Sequence, residues 1–487
     1  MATIDSPAAA AGSPELPARG APRATGRPGR APAGPKHAAE QASLAKLVTG
    51  PLRRVGLEWR DPLLRNGYAL LLNVGVTSVL GLVYWIAAAR FYTAAEVGLA
   101  VSAINLMTFL AGIGGQLSFQ SALTRFIPHA GRDSSRLALL AYTCAGGAGA
   151  LVSVIYLVLT HFPALGVPVV LGKTWILSVG LGGSVTVWCI FALQDAVLTG
   201  IRQAVWIPVE NGSYGVAKIV VLIGLARVMP NYGIFSSWTI PAFVALFPVN
   251  WLIFRRLLPR HVAEQQGSET TVTLRMMSRY MGGDYLGTIF NLGVGAILPL
   301  LILARLGKDA AGYFGEVYVI VYALDLITVN LGTALMVHGV VDRTSLRSAT
   351  ETVGRRIALL VLPTVAVLVA FAPLVLSIYG REYAANASGL LRLMAVAVVA
   401  KAITSLYIAL CRLERRVSWI AFAQGAVFVL VCALAWVLMG RLSLGGVGIA
   451  YLITHVAVAA FALPAVLRIL NRDLVVPAGT GAPEETR

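Results

Sequence analysis

The chain has 487 residues, 57% of them hydrophobic and 13% charged, with a mean hydropathy of +0.76. A soluble globular chain carries about 25% charge, so the composition excludes an ordinary water-soluble fold and describes a chain whose solvent is mostly lipid. The net charge of +17 would suggest nucleic acid in a soluble chain; here its distribution reports topology instead, and no nucleic-acid partner is expected.

Up to about Lys36 the chain is Pro, Ala, Gly and Arg, as in "ELPARGAPRATGRPGRAPAGPK". Such a composition buries no core, so residues 1–36 are expected to be a disordered basic tail. It contains no apolar h-region and hence no cleavable signal peptide. Residues 37–65, including "SLAKLVTGPLRRVGLEWR", mix Leu, Val and Trp with Arg and Lys. That suits a juxtamembrane amphipathic segment on anionic lipid; a plain positive-inside topogenic tail is the alternative.

Twelve apolar windows then follow, each long enough to cross about 30 Å of hydrocarbon. They cover 66–89, 97–118, 137–160, 174–199, 206–228 and 233–254, then 280–303, 311–338, 357–379, 388–411, 417–440 and 445–467. Long unbroken runs indicate helices rather than barrel strands, so the fold class is an all-α polytopic membrane protein. The basic stretch 255–279, "RRLLPRHVAEQQGSETTVTLRMMSR", divides the spans six and six. The expected organisation is an N-lobe at 66–254, a cytoplasmic linker at 255–279, a C-lobe at 280–470 and a cytoplasmic tail at 471–487.

Charge sets the orientation. Seven cations, Arg90, Lys173, Arg227, Arg305, Lys308, Arg381 and Arg441, fall in one set of loops, and Lys218, Arg392 and Lys401 fall within spans. The remaining 29 of the 39 Lys and Arg lie on the other side, which by the positive-inside rule puts both termini in the cytoplasm. "AARFYTAAEVG" after the first span and "LARLGKDAAG" after the seventh share an Ala-Arg pair, a polar turn and a following Gly. They suggest parallel repeats related by an axis along the membrane normal.

Every outer loop is short, which leaves no room for an extramembrane catalytic domain. No Walker A, HExxH or nucleophile constellation is present, so no catalytic residue, cofactor or enzymatic activity is assigned. Cys144, Cys189, Cys411 and Cys432 lie inside spans without metal-ligand spacing, and neither a metal nor a disulfide is expected. "GIGGQ" at 112–116 lies in a span and reads as helix packing through small residues.

Polar residues recur at helical spacing in four spans: Asn66, Asn73, Thr77 and Tyr84 in the first; Ser102, Asn105, Gly112 and Gln116 in the second; Asp284, Thr288, Asn291 and Gly295 in the seventh; Tyr318, Tyr322, Asp325 and Gly332 in the eighth. Polar groups in hydrocarbon face a bundle interior or a wet cavity. Four stripes at corresponding places suggest one water-filled cavity between two halves; hydrogen bonding between packed helices is the alternative. Asp325, Lys218 and Lys401 lie deep, where a charge costs about 2.5 to 3.5 kcal/mol. Glu210, Tyr214 and Lys218 share a face of the fifth span, so a structural Glu-to-Lys relay competes with substrate contact. Asp284 lies one turn from the cytoplasmic end, where an acid also complements a helix N-terminus.

Residues 65–131, "RNGYALLLNVGVTSVLGLVYWIAAARFYTAAEVGLAVSAINLMTFLAGIGGQLSFQSALTRFIPHAG", resemble the start of bacterial polysaccharide-biosynthesis flippases. These belong to the multidrug/oligosaccharidyl-lipid/polysaccharide exporter superfamily. The likeness rests on the Asn-Gly opening, "AAR" before a "VG" turn, and the "ALTRFIP" run. It implies two six-helix lobes around a central cavity in the bacterial cytoplasmic membrane, moving a lipid-linked glycan between leaflets by alternating access. A diphosphate wants Arg or Lys. Arg65, Arg125, Lys218 and Lys401 are the candidates, with positive-inside anchoring the alternative for Arg65 and Arg125. Glycosyltransferases or a polymerase of the same pathway are candidate partners. A cation-coupled drug exporter of the same superfamily, using Asp284 and Asp325, and a non-transporting scaffold are the rival readings.

Overall fold

The computed structural model describes residues 62–162, 169, 170, 172, 174–264, 285–341, 346–414 and 416–470. The tail 1–36, nearly all of 37–65, the linker beyond 264, Asp284 and the tail 471–487 lie outside the described residues. Among the described residues there is no strand. The helices are α1 (Pro62–Phe91), α2 (Ala94–Ile113), α3 (Gln116–Phe126), α4 (Ser134–Leu159), α5 (Trp175–Gly200), α6 (Ile207–Leu225), α7 (Gly233–Leu252), α8 (Tyr285–Leu306), α9 (Lys308–Val341), α10 (Leu346–Ala370), α11 (Ala372–Ser377), α12 (Arg381–Leu413) and α13 (Val417–Leu470).

Among the described residues, ten helices are long and apolar enough to cross a membrane. One of them, α13, has non-helical backbone at Ser443 (φ 48°, ψ −133°), between the two spans read from the sequence. The 19-residue α6 carries Glu210, Asn211 and Lys218 and is not among the ten. With α13 divided and α6 included, the described residues of this multi-pass, all-α protein hold twelve membrane-length helical segments.

Three stretches differ from the sequence expectation. The second span stops at Ile113, because Gly115 turns left-handed (φ +84°) and starts the polar helix α3. The ninth, expected over 357–379, ends at Ala370. Phe371 leaves helical geometry and Pro373 opens α11, as suits a residue without an N–H in a first turn. The helix of the sixth span also continues past 254, through a π turn at Ile253–Leu257 and a helix at Leu258–Glu264, so the expected linker begins as helix.

The helices α1–α7 form one lobe and α8–α13 the other, and the lobes meet principally where α2 lies against α8 and α9. Thr93 starts α2 with a capping box: its hydroxyl accepts from Glu96 N at 3.3 Å and its own N–H donates to the Glu96 carboxylate at 2.8 Å. One turn on, the backbones of α2 and α9 touch. A Cβ on Gly98 would strike the Lys308 carbonyl and Gly312 N, and one on Gly312 would strike the Ala94 carbonyl. In lipid no hydrophobic effect pulls helices together, so close approach through small residues supplies the packing.

Gly98→Leu or Gly312→Leu therefore forces the lobes apart and lowers the apparent melting temperature of the detergent-purified protein, corresponding to about 1–3 kcal/mol or more. Gly75→Ala and Gly81→Ala, with nothing near the added methyl, leave it unchanged or slightly raised. Equal effects at all four positions would refute the close crossing.

Candidate functional site

The C-lobe holds a buried polar cluster built on α9, α12 and α13. Asp325 is 3% exposed, and one of its oxygens pairs with Lys401 Nζ. The same ammonium is 3.4 Å from the Tyr451 hydroxyl, and the Tyr451 ring stands edge-on to His455 at 4.4 Å between centroids. Thr328 donates to the Asp325 carbonyl at 2.8 Å. The second Asp325 oxygen, the Thr404 hydroxyl and both His455 ring nitrogens have no partner among the described residues. Next to this cluster lies a cavity of about 30 Å³, room for about one or two waters. Asn291, Tyr318, Lys401, Thr404, Gln424 and His455 supply its polar lining.

Two of the expected stripes reach this place. Asn291 and Tyr318 line the cavity, with Tyr318 seated over Gly295 and stacked between Phe314 and Tyr322. Tyr322 itself is 50% exposed. Thr288 is half-buried on α8. The sequence reading missed Thr404, Ser405, Gln424, Tyr451 and His455. The spacings Lys401–Thr404–Ser405 and Tyr451–His455, at i, i+3, i+4 and i, i+4, were the available signals.

The other two stripes lie against protein outside this cluster. On α1, Asn66 donates to the Arg202 carbonyl at 2.8 Å. Tyr84, fully buried, donates to the Ile234 carbonyl at 3.0 Å and meets Ser237 Oγ at 2.9 Å. That face is thus turned into its own lobe, against α6 and α7. Asn73 Oδ1 is buried there without a partner, while Thr77 bonds the Asn73 carbonyl at 2.7 Å. On α2, the side holding Ser102 and Gly112 packs on the C-lobe: Ser102 closes on the Gly98 carbonyl at 2.9 Å, and Gly112 abuts Leu292. Asn105 is half-buried, and buried Gln116 donates to Gln120 at 3.3 Å.

Lys218 is buried in the N-lobe without forming the relay to Glu210. Its ammonium lies 3.8 Å from the Trp238 ring centre, 4.4 Å from Tyr84 and 5.4 Å from Tyr214, so ring quadrupoles replace a counter-ion. Glu210 is 7% exposed with neither oxygen bonded, and Asp195 nearby accepts from Asn211 at 3.0 Å. Arg65 is half-buried with Nε unsatisfied. Arg125, with Gln120, Ser121 and Thr124 of α3, lines an open depression. No group of three or more metal-ligating side chains occurs among the described residues.

Removing one member of the C-lobe pair leaves a charge with reduced compensation. Asp325→Ala is expected to destabilise by about 3 kcal/mol, read as a lower apparent melting temperature. Adding Lys401→Met should recover most of that loss. Indistinguishable single and double variants would show that the two charges are not coupled.

No protein-family model and no curated sequence matches the chain. Solved structures do. A multidrug resistance MATE family transporter of the MOP superfamily, in an inward-facing conformation, superposes with a TM-score of 0.58 at 14% identity, over 82% of this chain and 98% of that one. The MATE multidrug transporter DinF-BH, solved as a complex, gives 0.57 at 14%, over 85% and 97%. A MOP superfamily transporter from Pyrococcus furiosus, described by the reverse polarity of its binding pocket, gives 0.52 at 13%, over 85% and 96%. The helix order, the two lobes and these superpositions together show that this multi-pass membrane protein has the fold of the MOP superfamily transporters.

Proposed function

We propose that the chain is an alternating-access transporter that moves a lipid-linked oligosaccharide, or a related polysaccharide precursor, from the inner to the outer leaflet of a bacterial cytoplasmic membrane. Both termini are cytoplasmic in this reading, as the distribution of Lys and Arg argues. The fold likeness supports a transporter. The choice of cargo rests on one observation: among the described residues, no acid deep within a span stands open to a cationic cargo. Glu210, Glu316 and Asp325 are buried, and Asp195 is half-buried and bonded to Asn211.

Cations and amides are better placed. Arg65 Nε is unsatisfied, and Arg125 shares its open depression with Gln120, Ser121 and Thr124. A diphosphate suits guanidinium forks, and sugar hydroxyls suit amides and hydroxyls. The lipid tail stays in the bilayer while the headgroup follows a polar route. A cation-coupled multidrug exporter is the second reading, favoured by the multidrug transporters among the structural neighbours and by the unpartnered buried acids Glu210 and Glu316.

Proteoliposomes carrying either a fluorescent undecaprenyl-diphosphate-linked oligosaccharide or a cationic rhodamine dye separate the two. The expected result is glycan translocation, reduced about tenfold by Arg65→Ala or Arg125→Ala, equivalent to about 1.4 kcal/mol, with no cation-driven movement of the dye. Dye movement on a sodium or proton gradient without glycan translocation would replace this reading with the exporter.

A further inference from the structure

Glu316, in the third turn of α9, is 0% exposed, and neither of its carboxyl oxygens has a hydrogen-bond partner among the described residues. It lies one turn past Gly312, on the side of α9 that touches the other lobe: Gly312 abuts Ala94 and Gly315 abuts Val101, both on α2. The titratable groups that sense it are tyrosines: Tyr84 of α1, Tyr379 after α11 and Tyr383 of α12. The Tyr379 and Tyr383 hydroxyls, 2% and 3% exposed by residue, also have no partner. Tyr84 is committed to Ile234 and Ser237.

Four ions of α1, α8, α12 and α2 are engaged elsewhere. Arg90, at the end of α1, donates to the carbonyls of Ile378 at 2.9 Å and Ser377 at 3.1 Å in the opposite lobe. Arg305 of α8 donates to the Trp436 carbonyl, Arg392 of α12 to the Val369 carbonyl, and Glu96 of α2 holds its own N-cap. Among the described residues Glu316 is therefore an acid paired with no cation, sealed where the lobes meet.

Packing does not call for an acid there. Ser102 follows Gly98 by four residues as Glu316 follows Gly312, so the two are equivalent under the repeat. Ser102 is also 0% exposed, and it satisfies its hydroxyl within its own helix. A small neutral side chain thus serves the crossing on one side. An isolated carboxylate on the other would meet a desolvation penalty that nothing around it offsets.

We propose that Glu316 is a proton-binding site at the lobe seam, loaded while this end of the seam is closed and unloaded to water when the lobes part there. The proposal rests on the alternating-access reading above. On opening, the carboxyl O–H bond breaks, the proton passes to water, and the carboxylate stays in a hydrated seam. The closed state then holds one more proton than the open state. By linkage the closed-to-open ratio rises as pH falls, by up to about tenfold per pH unit.

The test uses the full chain in proteoliposomes, with the four native cysteines replaced by alanine and spin labels at Val228 and Leu374. These positions are 75% and 66% exposed, one on each lobe, at the end where Arg90 crosses. Electron–electron distance measurements in the wild type are expected to show the short population shrinking as pH rises. Glu316→Gln, and Glu316→Met as a second neutral variant, should keep the short population at every pH. Neutral variants that titrate like wild type, or a wild type insensitive to pH, would overturn the proposal. In either case, distances that still respond to the glycan lipid leave the transport reading standing. Distances that never change remove both.

Discussion

The arrangement of the two lobes depends on the contact of α2 with α9 at Gly98 and Gly312. Backbone meets backbone there, and no side chain larger than hydrogen fits on either helix. Such a crossing sets the separation and register of the lobes, because well-packed interfaces are bistable rather than continuously deformable. Val101 then packs on Gly315, and Glu316 is carried out of reach of solvent. At the end of α1, Arg90 reaches the exposed carbonyls after α11. The seam combines close packing, a cross-lobe clasp and an unpaired acid within a few turns of helix.

Away from the seam, polar groups in spans are compensated in two distinct ways. Lys218 is surrounded by the faces of Trp238, Tyr84 and Tyr214, an arrangement that holds a cation without an acid. Lys401 instead meets Asp325, with Tyr451 and His455 behind it. A buried pair of this kind adds little net stability over an apolar core of the same volume. Its retention beside a small polar cavity goes with polar groups that have no partner among the described residues, the Thr404 hydroxyl and the His455 ring with one donor and one acceptor nitrogen, which a water can meet.

The spans themselves were legible, since hydrophobic length and helical periodicity are local properties of the chain. The break at Phe371 was not, because an apolar run carries on through it, and the one at Gly115 was not, because glycines in a span also read as helix packing and only the left-handed turn reveals the break. The partnership of Asp325 with Lys401 was open to inference from depth alone, whereas Tyr451 and His455, far along the chain, needed the packing of α13 on α12. Stripe direction was not legible either. A polar face records that a helix avoids lipid on that side, and the same pattern arises whether that side meets its own lobe, as Asn66 and Tyr84 do, or the opposite lobe, as Ser102 does. Glu316 escaped notice because its own helix offered a more conspicuous acid in Asp325.

The short repeat seen in the sequence acquires a physical meaning from this geometry. The glycines that close "AARFYTAAEVG" and "LARLGKDAAG", Gly98 and Gly312, are the two that touch, so each of the two similar stretches supplies half of the crossing. The arginines of the same two motifs then part company. Arg90 crosses to the other lobe, while Arg305 stays in its own, over the Trp436 ring and bonded to the Trp436 carbonyl. Ser102 and Glu316 differ likewise, one neutral and satisfied, the other ionisable and alone. Symmetry is thus kept where the backbones must meet and relaxed at the arginines and acids beside them. In the proposed cycle, opening the seam breaks one set of arginine–carbonyl contacts among the described residues, that of Arg90. Exposed hydrogen bonds of this sort contribute only about 1 to 3 kcal/mol in total, and a single proton gained or lost by a sealed carboxyl is of the same order.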